Sequence, residues 1–212
     1  MKIALINENT QAAKNSLIEK SLKKVADRHG FEVVNYGMYD EQDQPLTYVQ
    51  NGLMASILLN SGAADFVVTG CGTGQGAMLA CNAFPGVFCG HIEDPLDAYT
   101  FAQINDGNAI AIPFAKGFGW GGDLNLEYIF EKLFEEPAGQ GYPRERAKPE
   151  RENREILEEV KKLTCPDLKT VLGQLDPALV KGVIGRKSFQ EHFFKDCKDE
   201  DYRKIIEQML GA

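Results

Sequence analysis

Short apolar runs alternate with amphipathic stretches over the first two thirds of the chain. The runs are rich in β-branched residues, and the stretches between them repeat apolar residues at helical spacing. This alternation is typical of βαβ units. It predicts five strands, at 2–7, 31–36, 66–69, 86–90 and 109–113, and helices at 10–29, 48–61, 74–83, 95–105 and 124–135.

The predicted strands are nearly all apolar, as 66–69 and 109–112 illustrate. Strands with this composition are covered by helices on both faces, which is the habit of parallel sheets. The pattern therefore predicts a three-layer α/β/α sandwich around a five-stranded parallel, Rossmann-like sheet. Ligands of such sheets bind beyond the carboxyl ends of strands, so chemistry is expected in the loops after Asn7, Gly70, Gly90 and Pro113.

The last third of the chain has a different pattern. A stretch rich in glycine and proline, 136–143, predicts a loop, and apolar residues then recur at helical spacing. Helices are predicted at 150–163, 167–175, 177–183 and 188–210. The expected organisation is an α/β domain over 1–147 and a helical extension over 148–212, packed on the core or on a partner subunit.

Composition narrows the possible partners and the cellular location. A formal net charge of -8 argues against a nucleic-acid partner. The sequence has no apolar stretch typical of a signal peptide or a membrane span, so no membrane partner is expected. The five cysteines are odd in number and lack CxxC spacing, which favours neither a disulfide framework nor a zinc site. Reduced thiols favour a cytoplasmic protein.

The glycine loop (residues 70–76) is the most informative segment. It has glycines at every second position and connects a predicted strand to a predicted helix. Glycines let successive backbone N–H groups converge, and the N-terminus of the following helix favours negative charge, so an anionic ligand is expected. Cys71 lies in this electropositive bend, where the pKa of a thiol tends to fall, which suits a thiolate base or nucleophile. Thr73 can hydrogen-bond the sulfur.

Other interpretations of the glycine loop differ in strength. Cysteine phosphatases have arginine six positions after the cysteine, where this chain has Ala77. A Walker A loop needs Gly-Lys-Ser/Thr, which this loop lacks, so neither of these two interpretations fits. Residues 72–77 do fit the GxGxxA dinucleotide fingerprint, and Glu93 follows at the distance of a ribose-binding acid. A nucleotide-binding module without turnover therefore stays open, although the loop follows the third predicted strand and the fingerprint leaves Cys71 unexplained. A tight turn with a buried thiol also stays open.

The segment from Cys71 to Met78, followed by Asn82-Ala-Phe-Pro-Gly, resembles the active-site loop of type B ribose-5-phosphate isomerases and galactose-6-phosphate isomerase subunits. The resemblance covers residues 1–147. It implies an aldose–ketose isomerase of a phosphorylated sugar that needs no cofactor and no metal. In this family each active site takes residues from two chains, which implies a homodimer or a dimer of dimers.

The resemblance also implies roles for individual residues. Cys71 is the base that takes the proton beside the carbonyl, and Thr73 orients its sulfur. Backbone amides of the loop stabilise the enediolate oxygens. The residues implied to bind substrate are Gly72, Gly74 and Gly76 through their amides, Asn105 through its side chain, and Lys116, Arg144 and Arg146 as cations for the phosphate.

Two family histidines are missing. Glu8-Asn9 stands where the family has Asp-His, and Glu93 aligns with the second histidine. His91, two residues earlier, is better interpreted as structural. A carboxylate replaces an imidazole in opening a sugar ring only if burial raises its pKa. We therefore expect a phosphorylated sugar other than ribose 5-phosphate, one largely open-chain in solution, with Glu8, Asn9 and a catalytic Glu93 at its hydroxyls. A non-catalytic subunit of a mixed isomerase complex is the remaining alternative.

Overall fold

Five parallel strands form the centre of the molecule in the order β2-β1-β3-β5-β4. The computed structural model describes residues 1–211, and its sheet confirms the predicted fold class. The strands are β1 (Lys2–Ile6), β2 (Glu32–Asn35), β3 (Phe66–Cys71), β4 (Cys89–His91) and β5 (Ala109–Pro113).

The fourth strand begins three residues later than predicted. The side chain of Asn108 accepts a hydrogen bond from the Phe88 N–H (2.8 Å) and donates one to the Gly86 carbonyl (2.7 Å). Gly86 has φ +75°, which turns the chain before the strand. These contacts hold 86–88 as a turn, so the prediction of a strand from 86 was wrong there.

Helices cover both faces of the sheet, as predicted. Alternate strand residues enter two apolar clusters, with Ala4 and Ile6 in one and Ile3 and Leu5 in the other. The first cluster lies under α2 (Tyr48–Asn60) and α3 (Gln75–Ala83), and the second under α1 (Asn15–Ala26), α4 (Pro95–Thr100) and α5 (Gly122–Leu133). α4 continues as a π-helical turn, Phe101–Asn105.

The second helix is mostly apolar and is buried on all sides in its middle. Every residue from Asn51 to Leu58 in α2 is buried. A helix of this composition needs neighbours on every side. The sheet and α3 cover one side, and the C-terminal helices cover the other.

The predicted helical extension is present, as α6 (Ala147–Thr164), α7 (Leu168–Gln174), α8 (Pro177–Ile184), α9 (Lys187–Asp196) and α10 (Glu200–Gly211). From α7 onward these helices contribute buried side chains to the first apolar cluster, the one under α2 and α3. These side chains include Leu172, Val183, Phe189 and Ile206. The single helix predicted at 188–210 is two helices, because the Asp199 side chain caps α10 by accepting hydrogen bonds from the N–H groups of Asp201 and Tyr202. The domain boundary at residue 147 stays a prediction.

Helix α6 differs from the other helices of the extension because none of its residues is buried. Its apolar side chains point to solvent, and we call them the outer stripe of α6: Ile156, Leu157, Val160 and Leu163, with 45–87% of each residue exposed. An apolar stripe of this kind usually packs on a partner. Within residues 1–211, no helix combines the length and hydrophobicity that crossing a membrane requires.

Candidate active site

The glycine loop begins with the last two residues of β3, at the carboxyl edge of the sheet. Cys71 is the last residue of β3, opposite Pro113 of β5, and α3 begins at Gln75. A Cβ atom at Gly70 would overlap the Ile112 carbonyl oxygen and the Phe114 ring. A side chain would therefore push β3 away from β5, which explains the glycine at this position.

Backbone hydrogen bonds tie the loop to the end of β5. The Phe114 N–H donates to the Cys71 carbonyl (2.9 Å), and the N–H groups of Ala115 and Lys116 both donate to the Gly72 carbonyl (3.0 and 2.9 Å). The amides of the loop are thus held in fixed positions before any ligand arrives, which is the condition for electrostatic stabilisation of an anion.

His91 braces the other side of the loop. Its ring Nε2 lies 2.8 Å from the Thr73 carbonyl oxygen. Because a carbonyl only accepts, we assign the ring proton to Nε2, which leaves Nδ1 facing Glu93 at 3.7 Å. The ring is occupied in holding the loop, and this geometry favours the structural interpretation of His91.

The Cys71 side chain lies on the α2–α3 face of the sheet and is 8% exposed. It stands at the edge where α2 and α3 begin, and helix N-termini favour negative charge nearby. The Tyr48 ring, in the first turn of α2, lies 3.5 Å from the position of a Cβ at Gly76. The Thr73 side chain is exposed.

The segment after β1 supplies a second wall of the site. The Glu8 carboxylate is 2% exposed and accepts hydrogen bonds from the N–H (2.9 Å) and the hydroxyl of Thr10. It caps the 3-10 turn Asn9–Lys14. These contacts occupy a carboxylate that we expected at substrate hydroxyls. Asn9 is exposed, and its N–H donates to the Leu46 carbonyl (2.8 Å).

Glu93 and Lys116 neutralise one another. The Lys116 ammonium lies 2.6 Å from a Glu93 carboxylate oxygen. This hydrogen bond lowers the pKa of the Glu93 carboxyl. An ionised carboxylate accepts protons and hydrogen bonds, so Glu93 is suited to hold a hydroxyl and not to donate a proton to a ring oxygen.

The remaining predicted binding residues lie at the opposite edge. Asn105 precedes β5, whereas Cys71 ends β3, so about 13 Å of strand separates the two ends. Asn105 ends the π-helical turn Phe101–Asn105, and segment 137–143 packs against that turn, where the Gly139 N–H donates a hydrogen bond to the Ala102 carbonyl. Arg144 and Arg146 follow that segment, and Arg144 pairs with Glu136. One chain therefore does not bring these three residues to Cys71.

Lys14 is a cation at the site that the sequence did not reveal. Its ammonium donates to the Gln11 side-chain oxygen (2.9 Å) and to the Phe114 carbonyl, and lies 4.7 Å from the Phe118 ring centroid. Burial lowers the pKa of Lys14, and among residues 1–211 no carboxylate offsets that effect. Gln11 in turn places its amide nitrogen 3.8 Å from the Cβ position at Gly72.

Lys14 thus reaches from the segment after β1 to the end of β5, across the end of β3 that lies between them. Loop amides, a thiol and an unpaired ammonium share one edge of the sheet. This arrangement offers hydrogen-bond donors to a small anionic ligand at the edge where the Cys71 thiol lies. In the described part of the chain no cluster of three or more His, Cys, Asp or Glu side chains is arranged to hold a metal ion.

Comparison with known proteins gives two family matches. The sequence model of the Ribose/Galactose Isomerase family matches residues 3–132. A second model, described as Ribose-5-phosphate isomerase, matches residues 163–209. The two matches correspond to most of the α/β part and to α7–α10.

Two solved structures are similar over nearly the whole chain. A 4-deoxy-L-threo-5-hexosulose-uronate ketol-isomerase complexed with a tartrate is 58% identical, with a TM-score of 0.98 and 100% of both chains covered. A ribose-5-phosphate isomerase from Vibrio parahaemolyticus is 52% identical, with a TM-score of 0.97 and 99% of both chains covered.

A curated relative matches a shorter stretch. The 4-deoxy-4-sulfo-D-erythrose isomerase of Clostridium sp. (strain MSTE9) is 26% identical over 95 residues, which is 45% of this chain. The match spans 59% of the length of that relative.

Proposed function

The chain belongs to the ribose/galactose isomerase family and is a sugar isomerase, an intramolecular oxidoreductase, and we propose from this premise that its substrate is an open-chain sugar acid. The observation that carries the proposal is the state of the two carboxylates that stand where related enzymes have histidines. Glu8 is buried as a helix cap, and Glu93 is ion-paired with a lowered pKa. Neither group is suited to protonate a ring oxygen, so a sugar that needs no ring opening fits the site best.

The substrate named for the 58% identical neighbour has this property. A 4-deoxy-5-hexosulose uronate has no hydroxyl at C4 and a carbonyl at C5. It therefore lacks both hydroxyls that usually close five- and six-membered hemiacetal rings on C1. We propose this compound, or a close analogue with a terminal carboxylate, as the substrate.

In the proposed mechanism Cys71 is the general base. The thiolate takes the proton from C2 beside the C1 carbonyl, and the amides of Gly72 and Gly74 stabilise the enediolate oxygens. The sulfur exchanges this proton with solvent and delivers a proton to C1, and a second proton moves from O2 to O1, which gives the ketose without net oxidation. Thr73 and Glu93 stay proposed hydrogen-bonding groups at this edge.

Lys14 is proposed to bind the carboxylate of the substrate. Two of its three N–H groups donate to Gln11 and Phe114, which leaves the third for a ligand, and no carboxylate of the described chain competes for it. Lys116, by contrast, is already paired with Glu93. A charge-assisted hydrogen bond from Lys14 would orient the chain of the sugar across the glycine loop.

A phosphorylated sugar is the second candidate. The descriptions of the C-terminal family model and of the 52% identical neighbour both name ribose-5-phosphate isomerase. In this case Lys14 would hold the phosphate, and the ring of the sugar would have to open without the family histidines.

We further propose a cytoplasmic homodimer or dimer of dimers with shared active sites. Asn105, Arg144 and Arg146 lie at the edge opposite Cys71, so a partner chain would have to supply them. The outer stripe of α6 offers an apolar surface for such a partner. The five cysteines are all unpaired, which suits a reducing compartment.

Proton exchange in D2O tests the reaction and the base together. Wild-type protein incubated with 4-deoxy-L-threo-5-hexosulose uronate is expected to give the 2-ketose with solvent deuterium at C1, followed by NMR. Cys71→Ala is expected to abolish both signals, and Cys165→Ala, which removes a thiol distant from the site, to keep them. Deuterium at C1 or C2 with Cys71→Ala would remove Cys71 from the mechanism; exchange at C4, beside the C5 carbonyl, does not count because it needs no enzyme. Turnover of ribose 5-phosphate with the uronate untouched would favour the second candidate.

Lys14→Met tests the carboxylate subsite. Loss of one charge-assisted hydrogen bond costs about 1.5–3 kcal/mol, so kcat/KM for the uronate is expected to fall roughly 10- to 100-fold. Lys20→Met, at an exposed position of the helix that follows, α1, is the matched control. Equal kcat/KM in the two variants would contradict the assignment of Lys14.

A further inference from the structure

The link between α8 and α9 contains a buried arginine. Arg186 is 1% exposed, although it lies in a part of the chain with none of the site residues. Its guanidinium pairs with Asp43 (Nη2 to Oδ2, 2.7 Å) and donates from Nη1 to the Gln44 carbonyl. A buried charge of this kind is retained only with partners, so these two contacts define what Arg186 does.

Both partners belong to the β2–α2 loop (residues 36–47). A second contact from the extension joins the same loop, because the Ser188 hydroxyl donates to the Tyr36 carbonyl (2.9 Å). The loop is closely packed around the ion pair. A Cβ at Gly37 would lie 2.8 Å from Asp43 Oδ2 and 3.2 Å from Arg186 Nη2.

The loop also contacts the carboxyl edge of the sheet, where the proposed site lies. At its start, Gly37 and Met38 exchange backbone hydrogen bonds with Asn7 (2.6 and 2.9 Å), and near its end the Leu46 carbonyl accepts from Asn9 N–H (2.8 Å). Asn7 and Asn9 flank Glu8 in the segment after β1. The loop therefore forms the outer support of that segment.

The loop also sets the start of α2. Thr47 caps the helix through its side chain, and the next residue, Tyr48, rests its ring 3.5 Å from the Cβ position at Gly76 in the glycine loop. A displacement of 43–47 would thus reach both the segment after β1 and the glycine loop. These are the two walls of the proposed site.

We infer that Arg186 is a positioning residue through which the C-terminal extension fixes the β2–α2 loop against the active site. The inference rests on the sugar isomerase activity of the family and holds for either candidate substrate. It assigns the extension a role in catalysis in addition to its role in covering α2. The ion pair with Asp43 is the contact through which that role is exerted.

The experiment compares Arg186→Met, Asp43→Asn and the double variant with wild type. Amide hydrogen exchange within residues 36–47, followed by mass spectrometry, is expected to accelerate at least about tenfold in all three, while exchange in α5 stays unchanged. Lys187→Met is the control, because this neighbouring side chain is 89% exposed. It is expected to match wild type in every measurement. Hydrogen exchange needs no substrate, so it tests the inference even if the proposed sugar is wrong.

Steady-state kinetics distinguish positioning from a purely structural role. With the substrate that the wild type turns over, kcat/KM is expected to fall roughly 10- to 100-fold in Asp43→Asn, since small misplacements of binding groups have effects of this size. The double variant is expected to lose no more than Arg186→Met alone, because both changes remove one contact. Arg186→Lys is expected to recover part of the loss. Folded Asp43→Asn and Arg186→Met proteins with wild-type kinetics and wild-type exchange in 36–47 would overturn the inference.

Discussion

Gly74 closes the bend between β3 and α3, and replacing it with alanine should be costly for two separable reasons. Its φ of +73° lies in the left-handed region, where an L-residue costs about 1–2 kcal/mol. The added Cβ would also lie 2.7 Å from the His91 ring, closer than real Cβ contacts allow. The ring must then move away from the Thr73 carbonyl and lose a hydrogen bond worth about 0.5–1.5 kcal/mol. Gly74→Ala is therefore expected to lower the free energy of unfolding by about 1.5–3.5 kcal/mol.

Gly117→Ala is the matched control for this prediction. Gly117 has φ +70°, and nothing lies within 4 Å of its Cβ position. It should show the conformational cost alone, about 1–2 kcal/mol. Urea unfolding of both variants and wild type, followed by circular dichroism at one protein concentration, gives the comparison.

The difference between the two variants measures the close contacts of the added Cβ, with the His91 ring at 2.7 Å and the Ile112 carbonyl carbon at 3.0 Å. Adding His91→Ala to Gly74→Ala removes the collision with the ring, so the pair should be less destabilised than the two single changes added together. The displaced loop should also lose activity in Gly74→Ala. An unfolding midpoint for Gly74→Ala equal to that of Gly117→Ala would refute the reasoning.

Two further predictions concern the surface of α6 and the alkaline limit of stability. Replacing Val160 and Leu163 in the outer stripe of α6 by glutamate should reduce the molar mass measured by light scattering to that of one chain, 23.5 kDa. The control Lys148→Glu should leave the molar mass unchanged. An unchanged mass in the Val160 and Leu163 variant would exclude the stripe from the interface. Burial raises the pKa of Tyr202 to about 12, so between about pH 10 and 12 the unfolded state releases a proton that the folded state keeps, and stability falls as the pH rises. Tyr202→Phe should flatten this fall in urea midpoints, and an unaltered slope would contradict the shift.

The sheet could be predicted from sequence because each strand is a local apolar run and each helix a local periodicity. The glycine loop was equally visible, since its chemistry resides in consecutive residues. The start of β4 was not visible, because the side chain of Asn108 reaches back across the chain to hold 86–88 outside the sheet. A contact between residues this far apart in the sequence leaves no trace in the local pattern of apolar and polar residues.

The site was predictable only in part, for a similar reason. Lys14 occupies a polar position of an amphipathic segment, and its significance appears only when the fold brings the Phe114 carbonyl to its ammonium. The placement of Asn105 could have been deduced. A residue that precedes a parallel strand lies at its amino end, whereas Cys71 ends its strand, so chain direction alone puts the two at opposite edges.

The buried, mostly apolar surface of α2 links the composition of one helix to the helices that follow much later in the chain. A relative without the C-terminal helices would leave the outward side of this helix in water, and its sequence there must become polar to remain soluble. The composition of this helix and the presence of the extension are therefore linked, unless a second chain covers the same surface. The polarity of a single 13-residue helix then indicates, in any related sequence, whether an extension of this kind should be sought downstream.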